Sequence, residues 1–391
     1  MKLFPLLQTT LPQSWVEIEN VLPTLREEMK STSRAQYLTF KELEDRLCDH
    51  LQKFKEDANR KHILHAVLRY LVKLGKILYF EHVEQLKDLI FPDPQWLIML
   101  VKEVVHHDLQ SHLQFKKEFR ACNMNVEEFD DEKRELVEKG LLSESLLRCI
   151  WFDAVPEASD FKKLVALLYH FDVGYKMTVK EAQFEGKEIN KNYTLIPALM
   201  AATRPPSIDD LWPIALSADQ MERSCEYQFY STVPVGLFER QMVRSHQCSD
   251  YRIHWKEGFV GINSEEQDEV KFCVIKQNKK VKLTARINKS GQINTLWKLV
   301  LSLHQTFVDM VQELWPELRY GIYNKCPKCN KCHYKIDFER LLKYPHSYRH
   351  LPRCEKSGQI PSIKVNSKLV IPPPGISYSI VNFLYDYQCK Y

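Results

Sequence analysis

The densest chemistry in the sequence lies near its C-terminus, where Cys-Pro-Lys-Cys-Asn-Lys-Cys-His occupies 326–333. Cys326 and Cys329 form a C-x-x-C pair, Cys332 and His333 follow at once, and Cys354 comes later in Leu-Pro-Arg-Cys. A C-x-x-C knuckle brings two thiolates close enough to share one tetrahedral Zn²⁺, and two more ligands must come from elsewhere. Cys354 supplies a third ligand, and Cys332 or His333 a fourth. A second C-x-x-C is missing, so the alternative is a vestigial knuckle with free thiols. A redox role is disfavoured, because no βαβ pattern of the thioredoxin kind surrounds the pair.

Other chemistry-bearing residues read more plainly. His106, His107 and His112 stand together, but neighbours on a helix point in different directions, so a solvated helix end is expected rather than a metal site. Glu127, Glu128, Asp130, Asp131 and Glu132 form an acidic run expected on a solvated face. Lys276, Lys279, Lys280, Lys282, Arg286 and Lys289 make a basic stretch, preceded by the acidic SEEQDE at 264–269. That stretch reads as the charged outer face of a hairpin, with nucleic-acid binding as the alternative. Cys48, Cys122, Cys149, Cys225, Cys248 and Cys273 are scattered in apolar or mixed segments and read as core or surface thiols. No G-x-S-x-G or H-E-x-x-H occurs. The two Gly-Lys pairs, Gly75-Lys76 and Gly186-Lys187, are followed by Ile77 and Glu188, so neither completes a phosphate-binding loop. No catalytic residue is expected.

These groups sit in a chain of 391 residues with 44% hydrophobic and 27% charged residues and a net charge of +4. That balance is too even for binding nucleic acid or membranes by bulk charge. The N-terminus lacks the long apolar run of a signal peptide. WLIML at 96–100 is far shorter than a bilayer span. Eleven scattered cysteines point to a reducing compartment, hence a cytoplasmic protein.

The elements that must position these residues change character along the chain. The first 200 residues read as mainly helical. Ile63, Leu64, Val67, Leu68, Leu71 and Leu74 form a helical stripe ended by Gly75. Two β-prone runs follow, at 77–80 and 86–91, and Asp93-Pro94 opens a new helix. Helix, strand, turn, strand, helix outlines a winged helix. A weaker version follows through Gly140 and Ser143, then one more amphipathic helix, FKKLVALLYHF. Its helix 63–74 carries only Arg69 and Lys73 on the polar side, too little to meet phosphates.

TRPPSIDDLWP is a Pro-rich break and a boundary is expected there. Beyond it, Tyr227/Phe229, Tyr251/Ile253/Trp255 and Val281/Leu283/Ala285/Ile287 alternate with polar residues, as in half-buried antiparallel strands. A long helix from about Leu296 to Leu314 buries Leu299, Val300, Leu303, Phe307 and Val311. The expected fold is α+β: a helical, winged-helix-like first half (1–203), a sheet backed by helices (204–322), and a Cys-rich, loop-rich tail (323–391).

LHAVLRYLVKLGKILYFEHVEQLKDLIFPDPQWLIMLVKEVV resembles the signature of the COR domain, the element C-terminal of Roc in Roco proteins. The resembling features are Gly75, Ile77 to Phe80, Leu89 to Phe91, and Pro94, Trp96 and Leu97. LPQSWVEIENVL is similar to the family's first helix and NYTLIPALM to the strand closing its first half. CEYQFYSTVPVGLFERQMVRSHQ resembles the start of the second half through Pro234, Gly236, Leu237, Phe238 and Arg240, and YRIHWKEGFVGI its Trp-containing hairpin. The resemblance spans roughly residues 10 to 320. It implies a first half that contacts a Roc GTPase domain and a second half that contributes to a homodimer. The expected function is a non-catalytic dimerisation and scaffolding module. Its GTPase is expected either in a longer product or in trans.

Overall fold

The computed structural model describes residues 11–31, 35–184, 186–187, 191–265, 268–325 and 333–336. They form two compact units. One holds residues 11–124 and 147–170, the other 125–146 and the chain from 171 onward.

In the first unit, α1 (Gln13–Lys30), β1 (Leu38–Thr39), α2 (Phe40–His50), α3 (Arg60–Lys73), β2 (Leu78–Tyr79), β3 (Leu89–Phe91) and α4 (Pro94–Val104) follow in order. The three strands pair antiparallel in the order β1-β3-β2. β1 escapes a reading by alternation because it is two residues long. Thr39 starts α2 with a capping box: its hydroxyl accepts from Glu42 N, and Glu42 accepts from Thr39 N. Asp93 caps α4 with Pro94 at its first position, as the sequence implies. α3 ends on Gly75 at φ +65°, with Gly75 N bonded to Val72 O and Lys76 N to Leu71 O. That left-handed ending turns the chain straight into β2. Leu25, Leu47, Leu64, Val67 and Leu71 form the aliphatic core. The segment expected as one amphipathic helix is two, Ala158–Leu164 and Ala166–His170, broken at Val165.

The second unit opens with α5 (Val126–Lys139) and β4 (Leu141–Ser143), and continues with β5 (Tyr175–Lys176) and β6 (Tyr193–Leu195) in the order β4-β6-β5. Ser143 Oγ accepts from Leu146 N, so Ser143 caps as its sequence position implies. Then come β7 (Gln220–Phe229), α6 (Leu237–Arg244), β8 (Tyr251–Trp255), β9 (Gly258–Glu265), β10 (Asp268–Gln277), β11 (Lys280–Asn288), α7 (Ile293–Leu314), β12 (Tyr320–Lys325) and β13 (His333–Ile336). The large sheet is antiparallel, ordered β13-β12-β7-β11-β10-β9-β8. The fold is α+β.

α7 supplies the buried side expected of it, with Leu299, Val300, Leu303, Phe307 and Val311 all at most 5% exposed. They share a cluster with Tyr227, Phe229, Val281, Leu283, Ala285 and Ile287. The opposite face of β8–β10 is also covered. Ile208 and Trp212, from the Pro-rich segment, pack with Ile253, Trp255, Val260 and Cys273. Arg286 fastens that segment: it lies 4.0 Å over the Trp212 ring, and donates to Glu222 at 2.9 Å and to Pro213 O at 2.6 Å. β8 is therefore not half-buried as its alternation implies. Arg252, on the face expected to meet solvent, is 2% exposed.

Candidate interaction surface

The β7–α6 connection, Tyr230 to Gly236, is where apolar side chains meet solvent on a fixed backbone. Val235 is 99% exposed and Tyr230 76%. Backbone bonds hold both ends of the connection: Phe229 N to Lys279 O, Tyr230 N to Arg319 O, Val233 N to Asn278 O and Leu237 N to Pro234 O. Gly236 starts α6 at φ +82°, a conformation that disfavours any side chain. A Cβ there would also stand 2.8 Å from the Arg240 guanidinium. Immediately after, Leu237 and Phe238 are fully buried and anchor the helix. Arg240 rests 6.0 Å over the Trp315 ring, and exposed Lys279 and Arg319 carry positive charge beside the tip. The arrangement displays an apolar tip among cations without spending entropy on ordering it at contact.

The remaining sequence candidates fall as follows. Cys326, Cys329, Cys332 and Cys354 lie outside the described residues. The backbone of His333 is in β13, opposite Lys325. Among the described residues, no group of three His, Cys, Asp or Glu side chains is posed to hold a metal ion. The histidine triplet needs a correction: α4 ends at Val104, so His106 stacks on His112 at 4.2 Å and lies 4.4 Å from His107. The helix that was to separate them has already stopped.

The acidic run lies on α5, where Glu128 completes a capping box with Asn125. The basic stretch is largely neutralised. Lys276 pairs with Glu239, Lys280 with Glu226 and Arg286 with Glu222, while Lys289 donates to Ala218 O. Buried thiols are poor nucleophiles: desolvation pushes Cys225 up to about 11 and Cys273 up to about 12. No helix among the described residues is long and apolar enough to cross a membrane. What sequence reading missed is the exposure of Val235, because a Pro-x-Gly turn does not say which side of it faces water.

A fold of this kind, offering a contact surface and no assembled catalytic group among the described residues, defines a module that acts by binding. The model for the C-terminal of Roc, COR-A domain matches residues 12–200, and that for the COR-B domain matches residues 220–367. The chain belongs to the COR family. It is similar to a probable serine/threonine-protein kinase, pats1, of Dictyostelium discoideum, 24% identical over 61% of this chain and 6% of that protein. A Roc-COR-CHAT protease from an unknown prokaryotic organism is 22% identical over 60% of this chain and 17% of its own length. A Xenopus tropicalis homolog of malignant fibrous histiocytoma-amplified sequence 1 is 21% identical over 95% of this chain and 36% of its own. The chain spans little more than a third of these relatives at most.

Proposed function

We propose that the chain is a non-catalytic dimerisation and scaffolding module of a cytoplasmic Roco-type signalling protein, coupled to a Roc-like GTPase in a longer product or in trans. The observation that carries this reading is the rigid, exposed tip at Tyr230 and Val235. Family membership supports a Roc partner for the first half. The second half, about 205–323, is the part that self-associates, with the tip at its contact. The strand order β1-β3-β2 and the Asp93 cap support a winged helix in the first half, and the Pro-rich segment at 204–213 divides the halves. Sedimentation of the chain and of its V235D variant tests the reading. A dimer that V235D converts to monomer is expected; a monomer at high micromolar concentration would refute self-association.

Zinc is proposed at Cys326, Cys329 and Cys354 with Cys332 or His333. The support is the C-x-x-C spacing. Structural zinc contributes on the order of 10 kcal/mol in small finger peptides, far more than a few tail side chains can by burial. Elemental analysis of protein purified without added metal should find one zinc per chain, and readily alkylated thiols with no zinc would sink the idea.

A further inference from the structure

Arg252, on β8, is a buried cation whose best binding edge holds nothing. Its flat faces are covered by aromatic rings, Tyr175 at 5.0 Å and Phe259 at 5.1 Å. Nη1 donates to the Ser245 hydroxyl at 3.2 Å. Nε and Nη2 are buried without a hydrogen-bond partner. Those two N–H groups point the same way and form the side-on fork that grips an anion with two parallel bonds.

The same unit shows what that fork does when an anion is present in the chain. Arg244 closes it on Asp172, with Nε and Nη2 both 2.7 Å from Oδ2. Arg286 sets its Nε 2.9 Å from Glu222. Beside Arg252 the carboxylate is already committed: Glu181 accepts from Tyr175 Oη at 3.2 Å and from Thr178 N at 2.8 Å. Two imidazoles complete the surroundings. His246 stacks on Tyr175 at 4.8 Å, and His254 Nε2 is 3.0 Å from Tyr175 Oη. Neither offers negative charge. A buried guanidinium without an anion costs several kcal/mol, and a buried N–H without an acceptor costs about 1–3 kcal/mol.

We propose that the Nε–Nη2 edge of Arg252, beside the Ser245 hydroxyl and Tyr175, is a buried binding site for one small inorganic anion of halide size. Size follows from the burial: both nitrogens are closed off from solvent and both guanidinium faces are taken. A phosphate would bring more charge than one fork and one hydroxyl can meet. The site joins the 175–181 segment to β8, so occupancy ties those two segments of the unit together. Arg223 leaves the same edge unpartnered over the Trp297 ring, but at 6% exposure it is nearer to water.

The test is thermal unfolding of the full chain in sodium chloride against sodium gluconate at equal ionic strength. Chloride should raise the melting temperature above the gluconate curve. Near saturation, a tenfold rise in chloride should lower the unfolding constant by up to tenfold, as for one site. The difference should vanish in R252M, and also in R252K, which keeps the charge without the fork. Should either variant fail to fold, crystals of the unmodified chain grown in bromide give an independent readout. They should show an anomalous peak within hydrogen-bond distance of Nε and Nη2. Superimposable chloride and gluconate curves with no such peak would mean that the edge meets water only, and a peak confined to other sites would equally overturn the proposal.

Discussion

The two units solve burial differently. Among the described residues of the first, Glu44 is the only buried charged or polar side chain, and Arg60 meets it at 2.7 Å. The second buries Arg223, Glu226, Arg252, Arg286, His304 and Asn324, along with several hydroxyls. An aliphatic core such as Leu47–Leu64–Leu71 is non-directional and tolerates repacking. A polar interior specifies partners one by one, and a change to one member strands another. The first unit therefore resembles a scaffold held by area, the second one held by named pairs.

That contrast can be broken most forcefully at the cores. Phe307→Ala removes a ring 4.1 Å from Tyr227 and 5.4 Å from Tyr320, and should cost about 3–5 kcal/mol in chemical unfolding. Leu68→Ala, 1% exposed in the first unit, should cost about 2–5 kcal/mol. If the Phe307 variant unfolds with no change in midpoint, the packing of α7 on the sheet is misassigned.

Acid should single out the second unit. Burial lowers His246 and His304 to about 4, and His254 well below its ordinary value. Unfolded histidines take up protons near pH 6.5, while these stay neutral in the folded state. Between pH 6.5 and about 4 the unfolded chain thus binds more protons. The stability is whole above pH 6.5 and is lost as pH falls toward 4. Thermal melts from pH 7.5 to 4.5 should show that decline. His304→Gln can still bond the Tyr227 hydroxyl, now 3.0 Å away, and should make the decline shallower. An unchanged pH slope in this variant would remove His304 from the account.

Smaller effects sharpen the comparison at the surface. Thr39→Ala loses the α2 capping box and should cost about 1 kcal/mol, measured as a shifted denaturant midpoint with an unchanged slope. Val235→Asp touches nothing buried, so its stability should change by under about 0.5 kcal/mol, while self-association is lost. A large drop in melting temperature for this variant would show that the tip is part of the core rather than a contact.

Several elements were open to reading in advance because their signals are local. Asp93-Pro94 and Gly75 mark helix ends through backbone geometry that depends on a few residues. Val281, Leu283, Ala285 and Ile287 reveal a strand because one face is uniformly apolar. Local pattern failed where a second layer intervened. Arg252 alternates with Ile253 like a solvent-facing residue, yet aromatic rings close over both of its faces.

By itself the sequence determined the order of helices and strands, the absence of a phosphate-binding loop, and the membership that its apolar blocks announce. Each of these follows from spacing within a dozen or so residues, where chain connectivity alone sets who can meet whom. Tertiary structure decided the rest. It folded the Pro-rich segment back so that Trp212 covers the outer face of β8–β10, left Val235 in solvent, and brought Tyr175, Glu181, Arg252 and His254 into one cluster. Those pairings join residues up to 79 positions apart. No periodicity reports them, because the loops between them fix neither distance nor direction until the sheet has formed.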